Sequence, residues 1–321
     1  MPKNMESGNL LQNFSNNLAD LVELTGRSIV SVNAHRRMST CGVHWRQGLI
    51  VTVEHGIQQE ENIDVKIADG RTLNATLVGR DSGTDLALLQ VPELDLAPIN
   101  IGDDRAIKIG HMVLAIARDS DRDLSASLGI LSNRGDAWRS WTGGKIDQFL
   151  RPSFMLYPGF AGSALVNMDG QAIGINTIGP RRMTITIPTS TVDRVINQLL
   201  EGGSVKRGYL GLGMQSVYLP DSLVQSLNLS SNRGVIIVSV EPSAAADRAG
   251  MILGDTIVSM NGQAIEDISD VQALLDSDSI GKPLTAQIIR GGNLLELTIT
   301  VAEKPSYDEE RQHRHRRGRR G

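Results

Sequence analysis

The chain has one cysteine, Cys41, in 321 residues. A single thiol excludes an internal disulfide framework, so the fold needs no oxidising compartment. No Cys/His motif surrounds Cys41, and it reads as a small buried residue rather than a nucleophile. Aromatics make up only 3% of the chain, so its cores have to be built from Val, Ile, Leu and Met. No stretch reaches the ~18 apolar residues of a membrane-spanning helix. The opening Met1-Pro2-Lys3-Asn4-Met5-Glu6-Ser7 has no apolar run after its lysine, as a secretory signal would. These absences predict a cytoplasmic chain without a membrane span; the alternative is a periplasmic or extracytoplasmic one whose sequence starts after a removed signal. His35, His44, His111, His313 and His315 lie outside any motif and show no metal-ligand spacing. No metal and no cofactor is expected.

The length suggests about two domains, at ~100–200 residues each. Hydrophobic residues at 40% and charged residues at 21% predict ordinary packed cores, and 33 glycines suit many strands and tight turns. The net charge of −4 is uneven: residues 311–321 hold six Arg, while the first 310 residues carry −10. The basic tail, 304–321, reads as a disordered solvated extension, with nucleic acid as the less favoured partner.

Residues 1–26 form an N-terminal segment. Within it Leu10, Leu11, Phe14, Leu18, Leu21, Val22 and Leu24 are spaced as on a helix, which packs on the body or on a neighbouring subunit. From 27 to 203 short β runs alternate with turn residues, the pattern of an all-β barrel or sandwich. Asp69-Gly70 and Asp169-Gly170 are hairpin signals. Residues 189–200 read as a capped closing helix, and Glu201-Gly202-Gly203-Ser204 as a stop and short linker. Residues 207–303 mix strands (234–240, 255–260, 285–290, 294–301) with a helix near 268–276, as in a small α/β peptide-binding domain.

Three segments carry chemistry. The first, Gly48-Leu49-Ile50-Val51-Thr52-Val53-Glu54-His55, brings a histidine off a strand. The second, Gly79-Arg80-Asp81-Ser82-Gly83-Thr84-Asp85-Leu86-Ala87, brings an aspartate. The third, Pro158-Gly159-Phe160-Ala161-Gly162-Ser163-Ala164-Leu165, has the glycines of a nucleophile loop. Their order, His–Asp–nucleophile, is that of the chymotrypsin-type triad. Together with Gly174-Ile175-Asn176-Thr177 and a C-terminal PDZ pattern, they make the chain from about 27 to 303 resemble the HtrA/Deg family of serine proteases. The resemblance implies a mainly β fold: a trypsin-like double six-stranded barrel, then a small α/β PDZ domain at 207–303. It also implies that His55 is the general base, that Asp85 orients it, and that Gly159, Phe160 and Ala161 shape the oxyanion hole, the amides of Gly159 and residue 161 being the donors. Asp81 reads as a turn residue.

The chain departs from the family pattern at several positions, among them three that bear on the chemistry. Ala161 stands where the family has its serine, Phe160 precedes it in place of asparagine, and Val53-Glu54 replaces two asparagines before the histidine. Without a hydroxyl the chain as written should be inactive. Ala161 has two readings: a serine exchanged for alanine in an otherwise intact protease, favoured by the presence of the other motif residues, or a natural pseudoprotease acting as a peptide-binding, chaperone-like module. Ser163, two residues past the loop apex, is not expected to substitute as nucleophile.

Met155, six residues before position 161, is expected at the base of the specificity pocket, with Ile175, Asn176 and Thr177 along its wall. A thioether floor predicts cleavage after small or medium aliphatic residues. Phe160 cannot pair with a new N-terminal ammonium, so activation by propeptide cleavage is not expected. Arg207-Gly208-Tyr209-Leu210-Gly211-Leu212-Gly213 is similar to the carboxylate-binding loop of HtrA-type PDZ domains. Tyr209, Leu210, Gly211 and Leu212, with Val271 and Leu275 across the groove, are the expected peptide contacts. The resemblance implies ATP-independent quality control of misfolded, unfolded or damaged polypeptides, C-terminal peptides at the PDZ domain, and a homo-oligomer, guessed as a trimer.

Overall fold

The computed structural model describes residues 5–34, 39–119, 123–140, 142–179 and 182–305. His35, His313, His315 and residues 306–321 of the basic tail lie outside the described residues. The chain divides into two compact units, 1–205 and 206–321, and each is described by itself.

The first unit is two closed six-stranded antiparallel barrels. Strands β1 (Ile29–Asn33), β2 (Thr40–Arg46), β3 (Leu49–Val53), β4 (Ile63–Lys66), β5 (Thr72–Asp81) and β6 (Leu86–Gln90) close in the order β1-β2-β3-β6-β5-β4. Strands β7 (Met112–Asp119) and β8 (Asp123–Gly135) lead to a small hairpin, β9 (Trp138–Arg139) and β10 (Lys145–Ile146). With β11 (Phe149–Pro152), β12 (Ala164–Val166), β13 (Ala172–Ile178) and β14 (Thr184–Pro188) they form the second barrel, β11-β14-β13-β12-β7-β8. Closure removes exposed sheet edges. Val30, Val32, Ile50, Ile63, Val65 and Leu89 fill the first barrel, and Val113, Leu131, Leu150 and Leu165 the second. A third apolar cluster, including Ile29, Val43, Val51, Leu114, Ile116 and Ala164, joins the two barrels where they face each other. Aliphatic residues dominate these cores, as the scarcity of aromatics predicts.

Helix α1 (Met5–Gly26) seats Leu18, Leu21 and Val22 against that joint core, while Leu10, Leu11, Phe14 and Leu24 stay exposed. Each buried apolar side chain contributes about 1.5–3 kcal/mol when fully covered, so the C-terminal half of α1 is the anchored half. Helix α2 (Thr189–Gly202) closes the unit and stops at Gly203, which is left-handed at φ +68°. Its first turn has no local side-chain cap; Asp104 supplies one from far away, accepting from Ser190 N at 2.9 Å and Ser190 Oγ at 2.6 Å.

The second unit begins with β15 (Gly208–Tyr209), which pairs with the final strand β22 (Ala302–Glu303). Its main sheet runs β16 (Leu212–Tyr218), β17 (Arg233–Val240), β18 (Thr256–Met260), β20 (Pro283–Arg290) and β21 (Asn293–Thr300), with β19 (Gln263–Ala264) beside β18. Helices α3 (Asp221–Ser226), α4 (Ala245–Arg248) and α5 (Ile268–Ala273) complete it. Asp267 and Asp270 form a reciprocal capping box at the start of α5. The helix ends at Ala273, short of the expected 276. Gly291 and Gly292, both at positive φ, make the tight turn between β20 and β21.

Candidate active site

The site lies between the two barrels, and both contribute to it. The single 3₁₀ turn Glu54–Gly56 ends β3 and presents His55. Asp85 follows the β5–β6 turn in the left-handed region, at φ +57°, a conformation that a non-glycine residue holds only when its surroundings dictate it. Asp81 is the turn-builder, as expected: its carboxylate accepts from Gly83 N (3.0 Å), Thr84 N (3.3 Å) and Thr84 Oγ1 (2.7 Å). Ser140 Oγ donates to the Gly83 carbonyl, and Thr142 Oγ1 to that of Ser82 at 2.8 Å, so the β9–β10 hairpin clasps the turn.

The Asp85 carboxylate lies 2.8 and 2.9 Å from His55 Nδ1 and accepts the His55 backbone N–H at 3.0 Å. From β13, Thr177 Oγ1 donates to Asp85 Oδ2. This geometry puts the Nδ1 proton toward Asp85 and leaves Nε2 as the basic nitrogen. The His55 side chain is 47% exposed. Its pKa is raised above the usual histidine range, first by the hydrogen bond to Asp85 and then, against the cost of burial, by the charges of Asp85 and Glu54.

Position 161 stands at the apex of a loop with Gly159 at φ +90° and Gly162 at φ +86°. A Cβ at Gly162 would meet the Cys41 carbonyl oxygen at 2.0 Å, which restricts that position to glycine. Phe160 N donates to Tyr157 O, Gly162 N to Asn176 O, and Ser163 N to Phe160 O, at 2.9–3.0 Å, and Ala161 O accepts from Cys41 N at 2.9 Å. The amides of Gly159 and Ala161 make no hydrogen bond to another described residue. Amides without a partner inside the protein are what an oxyanion hole uses. Phe160 turns its ring into the joint core, edge-on to Tyr157 at 5.9 Å.

Several expected residues lie elsewhere than the sequence suggests. Ile175 and Asn176 are fully buried, so their side chains do not line a pocket, and only their backbone can form its wall. Asn176 bridges the scaffold behind the loop, donating to Ser163 Oγ (3.0 Å) and accepting from Thr186 Oγ1 (2.7 Å). Ser163 itself is fully buried in that network and cannot reach a substrate. Thr177 steadies Asp85 instead of lining a pocket. Met155 is 69% exposed, on the surface rather than beneath a closed floor. Cys41 is fully buried, and burial pushes its thiol up to about 12, so it stays protonated. His44 is buried, its Nε2 accepting from Gly48 N at 3.2 Å, and burial lowers its pKa. His111 accepts from Lys108 N at 3.3 Å.

One neighbour escaped sequence reasoning. A Cβ at Gly159 would lie 3.1 Å from Asp119 Oδ2, so a carboxylate packs against this glycine of the loop. Ser39 Oγ donates to Asp119 Oδ1 at 3.0 Å. Asp119 is distant in sequence and belongs to no motif, and nothing short of the fold places it there.

In the second unit β16 is an edge strand with α5 beside it. That pairing is what β-augmentation by a peptide uses. Leu212 and Leu275 are half-buried and available to such a groove. Leu210 and Val271 are not: both are buried in the unit's own core. Gly211 turns at φ +77° with Ala244 packed so closely that no Cβ fits. Tyr209 Oη donates to Glu241 Oε2 at 2.6 Å.

Comparison with known proteins agrees with this architecture. The model of the trypsin-like peptidase domain matches residues 40–175, and the PDZ domain model matches residues 208–301. The chain belongs to the HtrA/Deg family. A probable periplasmic serine endoprotease, DegP-like, from Hahella chejuensis is 32% identical over 269 residues, 82% of this chain and 56% of that protein. A DegP-like relative from Pseudomonas putida is 33% identical over 267 residues, 81% and 55% of the two chains. The chain thus spans about half the length of the curated relatives it matches. Among solved structures, the HtrA-type protease AlgW with decapeptide superposes with a TM-score of 0.71 at 25% identity, covering 90% of this chain and 99% of that one. The serine endoprotease from Yersinia pestis superposes with a TM-score of 0.69 at 27% identity, covering 89% and 97%. The relatives are described as periplasmic, in line with the alternative expectation and not with the cytoplasmic one. Among the described residues no helix is long and apolar enough to cross a membrane.

Proposed function

We propose that this chain carries the machinery of an HtrA-type, ATP-independent serine endopeptidase for unfolded polypeptides, lacking only its nucleophilic hydroxyl. The observations that carry the reading are the Asp85–His55 pair, held from both barrels, and the loop in which the amides of Gly159 and residue 161 make no hydrogen bond to another described residue. A serine there would lose its proton to His55 Nε2 as it attacked a peptide carbonyl. The amides of Gly159 and residue 161 would receive the oxyanion, and the imidazolium, stabilised by Asp85, would protonate the leaving amine. Ala161 has no proton to give and no lone pair to attack with, so cleavage should fall by roughly a million-fold relative to the serine form.

The test is covalent labelling. An organophosphonate probe should attach to residue 161 of Ala161→Ser and release its leaving group. Ala161→Ser/His55→Ala should label far more slowly, and the chain as written should give no adduct at that position. Absence of labelling in Ala161→Ser would count against the reading. A second reading, a peptide-binding pseudoprotease, is favoured by one observation: the Asp119 carboxylate beside Gly159, which opposes an anion in the hole. Under either reading the edge of β16 receives C-terminal peptides. We also place the protein outside the cytoplasm, like its relatives, and as a trimer, which its sedimentation mass tests.

A further inference from the structure

Where the family pattern has asparagine before the histidine, this chain has Glu54, and the structure gives that carboxyl a built environment. Its side chain is 13% exposed. The Arg80 guanidinium, 11% exposed, approaches Glu54 Oε1 at 3.7 Å, donates to the Ile57 carbonyl at 3.3 Å, and pairs with Glu60. Glu54 N donates to the Asp85 carbonyl at 3.1 Å, so Glu54 and His55 both fasten to Asp85. Charged groups around the cluster include Asp85 from the β5–β6 turn, Arg80 from β5, and Glu60 behind Arg80. Thr177 from β13 and Thr40 from β2, packed against Gly56, bring only hydroxyls.

We infer that Glu54 is a positioning residue for the His55–Asp85 pair: a second carboxylate, held by Arg80 and set one residue before the histidine in the same 3₁₀ turn, whose charge acts on the imidazole. An exposed glutamate would be free to swing into solvent and would be screened by it. Arg80 denies this one that freedom. Asp85 holds the imidazole by hydrogen bond and Glu54 acts on it through its charge, so the imidazolium formed in acyl transfer is stabilised by both, with the Arg80 charge opposing the Glu54 contribution. The cost falls on the acid side, where a base that is charged more readily is neutral only at higher pH. Burial, and then the charge of Asp85, push Glu54 above the usual carboxyl range, with Arg80 pulling the other way. The second carboxylate therefore discharges as pH falls.

The role of His55 as base rests on the function proposed above, but the test needs no catalysis. The His55 ring is titrated by NMR in the chain as it stands, in Glu54→Gln and in Glu54→Asp. Glu54→Gln should move the titration to lower pH, reducing the charged-to-neutral ratio of the ring at fixed pH at least about threefold. Glu54→Asp, which keeps the charge, should stay closer to the parent. An unmoved His55 titration in folded Glu54→Gln overturns the proposal. If Glu54→Gln does not fold, the Glu54 carboxyl resonance of the parent decides. An inflection at the His55 titration supports the coupling, and a flat response there overturns it. The titration reads the same whether or not Ala161→Ser cleaves substrate. A moved titration with no cleavage would therefore defeat the protease reading and leave this one standing.

Discussion

Asp119 lies against Gly159, in the loop that carries position 161. A fixed negative charge beside an oxyanion hole raises the energy of the anion to be held there, more so in a site shielded from water. In the Ala161→Ser background, Asp119→Asn should therefore raise kcat/KM on a peptide substrate by roughly three- to tenfold, read from initial rates with KM little changed. A fall in rate would show that the carboxylate organises the loop instead. His55 and Asp85 were legible in the sequence because acyl transfer demands fixed residue types in fixed local contexts. Asp119 and the partnership of Thr177 with Asp85 were not, because each is a contact between segments far apart in the chain. Asn176 misled for a related reason: its motif gave its position on β13 but not which way its side chain points, and that is into the scaffold.

At the scale of elements, strands and turns follow from composition. Short apolar runs between Gly and Asp-Gly signals became the barrel strands, and in the second unit the expected strands 234–240, 255–260, 285–290 and 294–301 moved by at most two residues. Helix ends were harder to read, since α2 takes its cap from Asp104 and α5 stops at Ala273, where Leu274 N turns back to the Val271 carbonyl. The ion pair that ties β18 to β20 was invisible in the sequence. Asp255 is fully buried and meets Arg290 through two bonds of 2.7 Å, and it also accepts from Ile252 N at 2.9 Å. Burial by itself raises the Asp255 pKa; Arg290 and the amide outweigh it, and the net shift is downward. A carboxyl depressed in the fold contributes stability above its unfolded pKa, and that contribution is lost as pH falls through the folded value. Asp255→Ala, which leaves Arg290 and the Ile252 amide unpaired, should destabilise the second unit by about 3 kcal/mol. Urea denaturation of the isolated 206–305 segment, if it folds, or of the whole chain otherwise, reads this. A change below about 0.5 kcal/mol, the scale of ordinary surface substitutions, would mean that the pair adds little.

At the scale of the whole molecule, the order of a barrel pair followed by a PDZ unit could be read directly, because each module announces itself by local patterns. The cytoplasmic expectation rested on the opening residues, and the descriptions of the relatives point the other way. We propose that one missing hydroxyl separates this chain from a working protease. Casein cleavage measures that most directly, comparing Ala161→Ser, Ala161→Ser/His55→Ala and the chain as written. Ala161→Ser should cleave, with a loss of roughly a million-fold when the hydroxyl or the imidazole is absent and an acid limb that falls off as His55 is protonated at its raised pKa. If Ala161→Ser cleaves no faster than the chain as written, with or without a C-terminal peptide, the claim is contradicted and the site is that of a pseudoprotease.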